Sequence, residues 1–163
     1  MLILEDRTVV APMAKSGAAA APTEPFLLIP AGAGPKELVA AIRRGLALSP
    51  DAVFPDDEEG AEITRKMVRA AGVASWKELT RRARLSTVQT GIDADHGSVV
   101  RAVPSMPVRP GPGWHSEPKR DALWAPWPID DDHLAELITE AIARSPTYAE
   151  AHPRQPRART RDA

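Results

Sequence analysis

Residues 27–50 read LLIPAGAGPKELVAAIRRGLALSP, and residues 123–146 read LWAPWPIDDDHLAELITEAIARSP. The two stretches align without a gap at an offset of 96. Identities fall at Leu27/Leu123, Pro30/Pro126, Leu38/Leu134, Ile42/Ile138, Ala47/Ala143, Ser49/Ser145 and Pro50/Pro146. The shared leucines and isoleucines stand four residues apart, on one stripe of a helix. Ahead of each helix lies an apolar run too short for a helix and suited to a strand. Pro35 is tolerated at the first helical position, where its missing N–H would have no partner, and the residue before Pro50 is pushed out of the helical region. The duplication extends upstream, because DRTVVAP (6–12) precedes the first helix as SVVRAVP (98–104) precedes the second. Each half is therefore strand, loop, short strand and helix. The expected fold is α/β: a single mixed β-sheet of about five strands with helices packed on it, built as a pseudo-duplicated strand-strand-helix unit with inserted helices. Leu38 and Leu134, like Ile42 and Ile138, should occupy equivalent buried places.

The remaining segments fit around these units. Leu2 to Pro12 is rich in Val, Ile and Leu and reads as one strand, followed by a low-complexity, mobile loop over Met13 to Thr23. Asp56 to Glu59 opens a helix with an Ile63, Met67, Ala71 stripe and Gly72 as its cap. Ser75-Trp76-Lys77-Glu78 matches a capping box, in which serine and glutamate each satisfy a free N–H of the other's turn, and predicts a short helix to about Arg84. Leu85 to Ala94 and Ser98 to Pro104 read as a hairpin turning at Asp95-His96-Gly97, and Met106 to Lys119 as a Pro/Gly-rich loop. One domain over residues 1–152 and a disordered basic tail over 153–163 follow from this division.

Composition narrows the function. The chain has 163 residues, no cysteine and 4% aromatic residues, so disulfides, thiol nucleophiles and Cys-ligated zinc are excluded. Residues 1–152 carry 17 basic against 21 acidic side chains, a net −4, while the tail holds Arg154, Arg157, Arg159 and Arg161 against Asp162. An acidic body favours basic partners and disfavours direct contact with nucleic acid. The start MLILEDRTVV lacks a basic region and a long apolar run, which fits a cytoplasmic protein with no membrane segment.

No phosphate loop, nucleophile elbow, dinucleotide fingerprint or HExxH pattern is present, and His96, His115, His133 and His152 lack helical ligand spacing. No catalytic residue, cofactor site or metal site is expected. Four carboxylates at Asp56, Asp57, Glu58 and Glu59, and three at Asp130, Asp131 and Asp132, are explained first by capping and by the helix dipole. They are also the densest acidic surfaces available to a basic partner. Trp124 is expected to fill the core. Trp114, in its Pro/Gly loop, is either core or an exposed partner contact, since tryptophan anchors interfaces.

The order of elements resembles the immunity proteins of contact-dependent growth inhibition systems. Residues 6–146 carry the likeness: Ala71-Gly72-Val73 and Trp76-Lys77-Glu78-Leu79 in a helical middle, a Val88/Ile92 strand, a Val99–Pro104 strand, and a final acidic-capped helix with Ala141-Ile142-Ala143-Arg144-Ser145. The resemblance implies a cytoplasmic binding protein without catalytic residues. It would neutralise the C-terminal toxin domain of an effector, often a basic nuclease, in a 1:1 complex. The toxin-binding candidates are then Asp56, Asp57, Glu58, Glu59, Trp114, Asp130, Asp131 and Asp132. A small acidic adaptor or chaperone of a secretion system is the alternative, and an enzyme with a carboxylate site ranks last.

Overall fold

The computed structural model describes residues 1–17, 19–108, 114–115 and 121–153. The predicted basic tail, apart from Pro153, lies outside the described residues. Strands β1 (Leu2–Ile3), β2 (Arg7–Val10), β3 (Met13–Ser16), β4 (Ala19–Pro22) and β5 (Leu27–Pro30) lead into helix α1 (Pro35–Leu48). A 3₁₀ turn (Ser49–Asp51), α2 (Asp57–Ala70) and α3 (Trp76–Arg82) follow, then the long hairpin β6 (Arg84–Asp93) and β7 (Gly97–Pro107). Strands β8 (Trp114–His115) and β9 (Leu123–Pro126) and helices α4 (Asp131–Arg144) and α5 (Tyr148–Ala151) complete the described chain.

The main sheet runs β5-β2-β1-β6-β7, with β8 and β9 both paired to β7. The α/β layering and the pseudo-duplication are as expected, but the sheet has seven strands rather than about five, and each of its pairings is antiparallel rather than mixed. Two of the extra strands come from segments misread in the sequence. Leu2 to Pro12 is a hairpin, because the Leu4 N–H closes a tight turn onto the Arg7 carbonyl at 2.9 Å. Strand β7 continues to Pro107 and gathers β8 from what reads as loop. The supposed loop at Met13 to Thr23 is a separate two-stranded ribbon, β3–β4, in register from Met13↔Pro22 to Ser16↔Ala19. Alanine-rich sequence hides this ribbon, since it has neither alternation nor β-branched residues.

The two halves repeat in register as well as in sequence. Val10 faces Leu27 and Arg7 faces Pro30, while Ala102 faces Leu123 and Val99 faces Pro126. The identical leucines and prolines thus open and close the same four-residue ladder. The halves join where β1 meets β6, with Leu2 opposite Leu85 and Ile3 opposite Arg84. Helices α1 and α4 each bury the same two offsets, Ile42 and Gly45 in one, Ile138 and Ala141 in the other. Each ends with the same bond: Ser49 Oγ donates to the Gly45 carbonyl and Ser145 Oγ to the Ala141 carbonyl, both at 2.8 Å. One departure is instructive. Leu134 is fully buried, whereas Leu38 is only partly covered and Val39 takes the buried place.

Successive strand residues point to opposite faces, so Val9 and Val10 seed two cores. Val10, Ile29 and Val100 meet α1 and α4 through Val39, Ile42, Leu134 and Ile138. Leu2, Leu4 and Val9 meet α2 and α3 through Met67, Ala71, Leu79 and Ala83. Each buried Leu or Ile contributes roughly 1.5–3 kcal/mol. Gly72, just past the C-cap of α2, takes φ +69°, and a side chain there would press within 3.2 Å of the Arg7 guanidinium. Gly97 supplies the matching positive φ (+71°) that lets the β6–β7 hairpin turn.

Candidate functional site

The acidic clusters divide into structural and free charges. Asp56 caps α2: its Oδ1 accepts from the Glu59 N–H at 2.9 Å, and Glu59 Oε2 accepts from the Asp56 N–H at 3.3 Å. Asp57 and Glu58, on the same first turn, are exposed and hold no ion pair among the described residues. Asp130 caps α4 through the His133 N–H at 3.0 Å and also holds His133 Nδ1 at 2.6 Å. The His133 backbone and ring bonds lower the Asp130 pKa, and the Asp130 carboxylate raises that of His133. Asp131 accepts from Arg43 Nε at 2.6 Å, while Arg43 also donates to the Ile129 carbonyl and sits 5.5 Å over the Trp127 ring. That residue pins α1 to α4. Asp132 is exposed and unpaired among the described residues. No hydrogen bond or ion pair joins the two clusters, and among the described residues no group of three or more His, Cys, Asp or Glu could hold a metal.

Trp124 does not fill the core as expected. Trp124 is 48% exposed and stacks on His96, with ring centroids 4.2 Å apart. It projects from short β9 opposite Arg101, on the sheet side away from Ala125 and the α1/α4 core. Beside it, Asp93 binds His96 Nδ1 and Arg101, and these bonds hold its carboxyl down at about 2. Trp114 is partly buried, packed edge-on against Trp76 with centroids 5.7 Å apart. Of the two places the sequence leaves open for Trp114, core or exposed partner contact, it takes the interior one, and its candidacy as an exposed toxin-binding anchor is corrected. The capping box at Ser75 is also adjusted, since Glu78 accepts from the Ala74 N–H at 2.9 Å rather than from Ser75.

One feature of the surface has no counterpart in the expected sites. Strand β6 is ten residues long but β1 only two, so β1 pairs with β6 at Arg84 and Leu85 alone. The Ser86 N–H, which donates to the Met1 carbonyl at 3.1 Å, shows that even-numbered residues of β6 turn their polar groups to this side. Val88, Thr90 and Ile92 therefore present backbone N–H and C=O groups to an edge that no described strand covers. A groove of about 370 Å³ follows this edge, walled by Thr87–Thr90 on one side and by Met13, Lys15 and Ala20 of the ribbon on the other. Its floor is Leu46, Ser49, Pro50 and Ala52. Just beyond Ala52 the chain exposes Val53 (81%) and Phe54 (37%), and then the unpaired Asp57 and Glu58. An uncovered strand end cannot be read from local pattern.

No family model matches this chain, and no curated protein matches its sequence. In structure it is similar to a protein of unknown function from Neisseria meningitidis, NMB0488, with a TM-score of 0.64 and 14% identity over 89% of this chain and 92% of that one. The likeness is one of fold. No helix among the described residues is long and apolar enough to cross a membrane.

Proposed function

We propose that this chain is a cytoplasmic immunity protein that binds the C-terminal toxin domain of a contact-dependent growth inhibition effector in a 1:1 complex. The observation that carries the reading is the uncovered edge of β6 with the groove along it, lined by apolar and uncharged polar side chains and by Lys15. A free strand edge in a folded protein is usually blunted, because its unpaired N–H and C=O groups recruit other chains. Here it lies open between two walls, ready to pair an extended segment of a partner, with main-chain bonds for affinity and side-chain contacts for choice. Asp57 and Glu58, exposed on the first turn of α2, favour a basic partner, as a nuclease toxin would be, and act chiefly on the association rate. The element order from Asp6 to Pro146 supports the same reading.

Cells expressing the chain should survive the toxin domain encoded beside its gene, and the two proteins should co-purify in equal amounts. The substitution Thr90→Pro removes one N–H from the free edge without touching the β7 ladder. It should weaken the complex at least tenfold while leaving the melting temperature within a few degrees. Full sensitivity of cells that contain the folded chain would sink the proposal; intact binding by the Thr90→Pro variant would remove the β6 edge from it.

A further inference from the structure

Between the ribbon, α1 and the start of β1 the structure encloses a second space, a cavity of about 170 Å³. It opens where β1 runs out, so residues from both sheet faces reach it: Leu2 and Val9 from one, Val10 and Val88 from the other. Trp76 and Trp114 stand against it. No charged side chain lines it, and Ser49 and Thr87 are its polar side chains apart from the indole groups. Apolar cavities of about 150 Å³ stay dry and take up benzene.

A second observation concerns hydrogen bonding. Trp114 Nε1 is buried and has no acceptor among the described residues. An unpaired buried donor is costly, and native structures seldom leave one without a purpose. The indole belongs to a residue that lines the cavity, so an occupant could supply the acceptor. Trp76 set edge-on to Trp114, with Met13 and Met67 nearby, forms a polarisable wall that suits a flat ring.

The geometry points to this cavity as a binding site for a small neutral aromatic molecule that carries one hydrogen-bond acceptor. It is neutral because no charged side chain lines the space and burial holds the α-amine of Met1, a lining residue, down to about 6, so that it offers no fixed charge at neutral pH, and aromatic because the walls and volume match one ring. This site is distinct from strand pairing at the β6 edge, although Met13, Leu46, Ser49, Thr87 and Val88 line both spaces. Occupancy would therefore stiffen one wall of the partner groove.

The test uses p-cresol and toluene as probes, which share size and shape but differ in the acceptor. Both are titrated into ¹⁵N-labelled chain while the Trp114 Nε1–H resonance is followed, and again into the Trp114→Phe variant. Both probes should give saturable shifts in the native protein, with the indole resonance moving downfield for p-cresol alone. p-Cresol should bind about three- to tenfold more tightly than toluene, the worth of one net hydrogen bond, and the Trp114→Phe variant should erase that advantage. Absence of saturable binding by either probe overturns the inference, as does an advantage that survives in Trp114→Phe. If the resonance moves only when a protein partner is added and both probes are excluded, the cavity is a socket for a partner's side chain, and the inference is likewise overturned.

Discussion

Substitution of Leu134, Leu38 and Val39 by alanine, one at a time, tests whether the repeated sequence marks repeated packing or only repeated composition. Leu134 is fully buried at the centre of the core that joins α1, α4 and the sheet. Its truncation should cost about 2–5 kcal/mol, the transfer free energy of the lost carbons plus the cavity they leave. Leu38 stands at the identical repeat position but is only partly covered, so water can fill part of the space it vacates. About half of that cost is expected. Val39, 1% exposed, carries the burial on this helix. It has fewer carbons to lose than leucine, and about 1–2.5 kcal/mol is expected for Val39→Ala. For a chain of this length 1 kcal/mol corresponds to roughly 2–4 °C, so Leu134→Ala should melt about 5–15 °C lower. Urea unfolding followed by circular dichroism gives the free energies directly, provided the slope is shared by all variants. Equal losses at Leu38 and Leu134, or a neutral Val39→Ala, would refute the assignment of the buried place on α1 to Val39 rather than Leu38.

Three further outcomes follow from single contacts. Ser49→Ala should cost more than Ser145→Ala in urea unfolding, about 1–2 against about 1 kcal/mol, because Ser49 Oγ also accepts from the Met13 N–H at 3.0 Å and its loss leaves that ribbon donor unpaired. Gly72→Ala should destabilise by about 1–2 kcal/mol on the same assay, since a Cβ at φ +69° meets both backbone strain and the Arg7 guanidinium. His133 should titrate above 6.5 by NMR and return toward that value in Asp130→Asn. Because its folded pKa is raised, the His133 contribution is fully present below 6.5 and fades as pH rises through the folded value, while that of Asp130 is lost as acid takes the pH below the ordinary carboxylate range.

What could be read from the sequence was whatever depends on residues near one another. The two helices, their acidic caps at Asp56 and Asp130, the Gly72 stop and the Gly97 hairpin all rest on local spacing, and the structure places each where the pattern does. The repeat could be read for a different reason, because shared registers such as Leu27 and Leu123 leave shared residues. Misreadings arose where tertiary context decides. Nothing local in AAAAP announces that β3 and β4 will pair, and a tryptophan beside a strand gives no sign of which sheet face is covered. Trp124 therefore read as core and stands exposed, while Trp114 is built into an interior wall. Of the eight acidic and aromatic candidates, Asp57, Glu58 and Asp132 are exposed with neither a side-chain capping bond nor an ion pair among the described residues.

The groove and the cavity lie off the symmetric elements. Strand β1 pairs with β6 at Leu85 and Arg84, whereas β7 pairs with β6 from Leu85 to Asp93. The groove beside Thr87–Thr90 and the cavity walled by Trp114 both adjoin the stretch of β6 that β1 does not cover. A chain selected only for stability would gain by covering this edge and filling this void, since either change adds buried apolar area and satisfied N–H groups. Covering the edge tests the point. An N-terminal extension of five alternating Thr and Val residues before Met1 should pair with the β6 edge, raise the melting temperature, and protect the Val88 and Thr90 amides from hydrogen exchange. The same extension should abolish partner binding, because it occupies the place a partner's segment would take. A stabilised, exchange-protected chain that still neutralised the toxin would show that recognition lies elsewhere on the acidic surface.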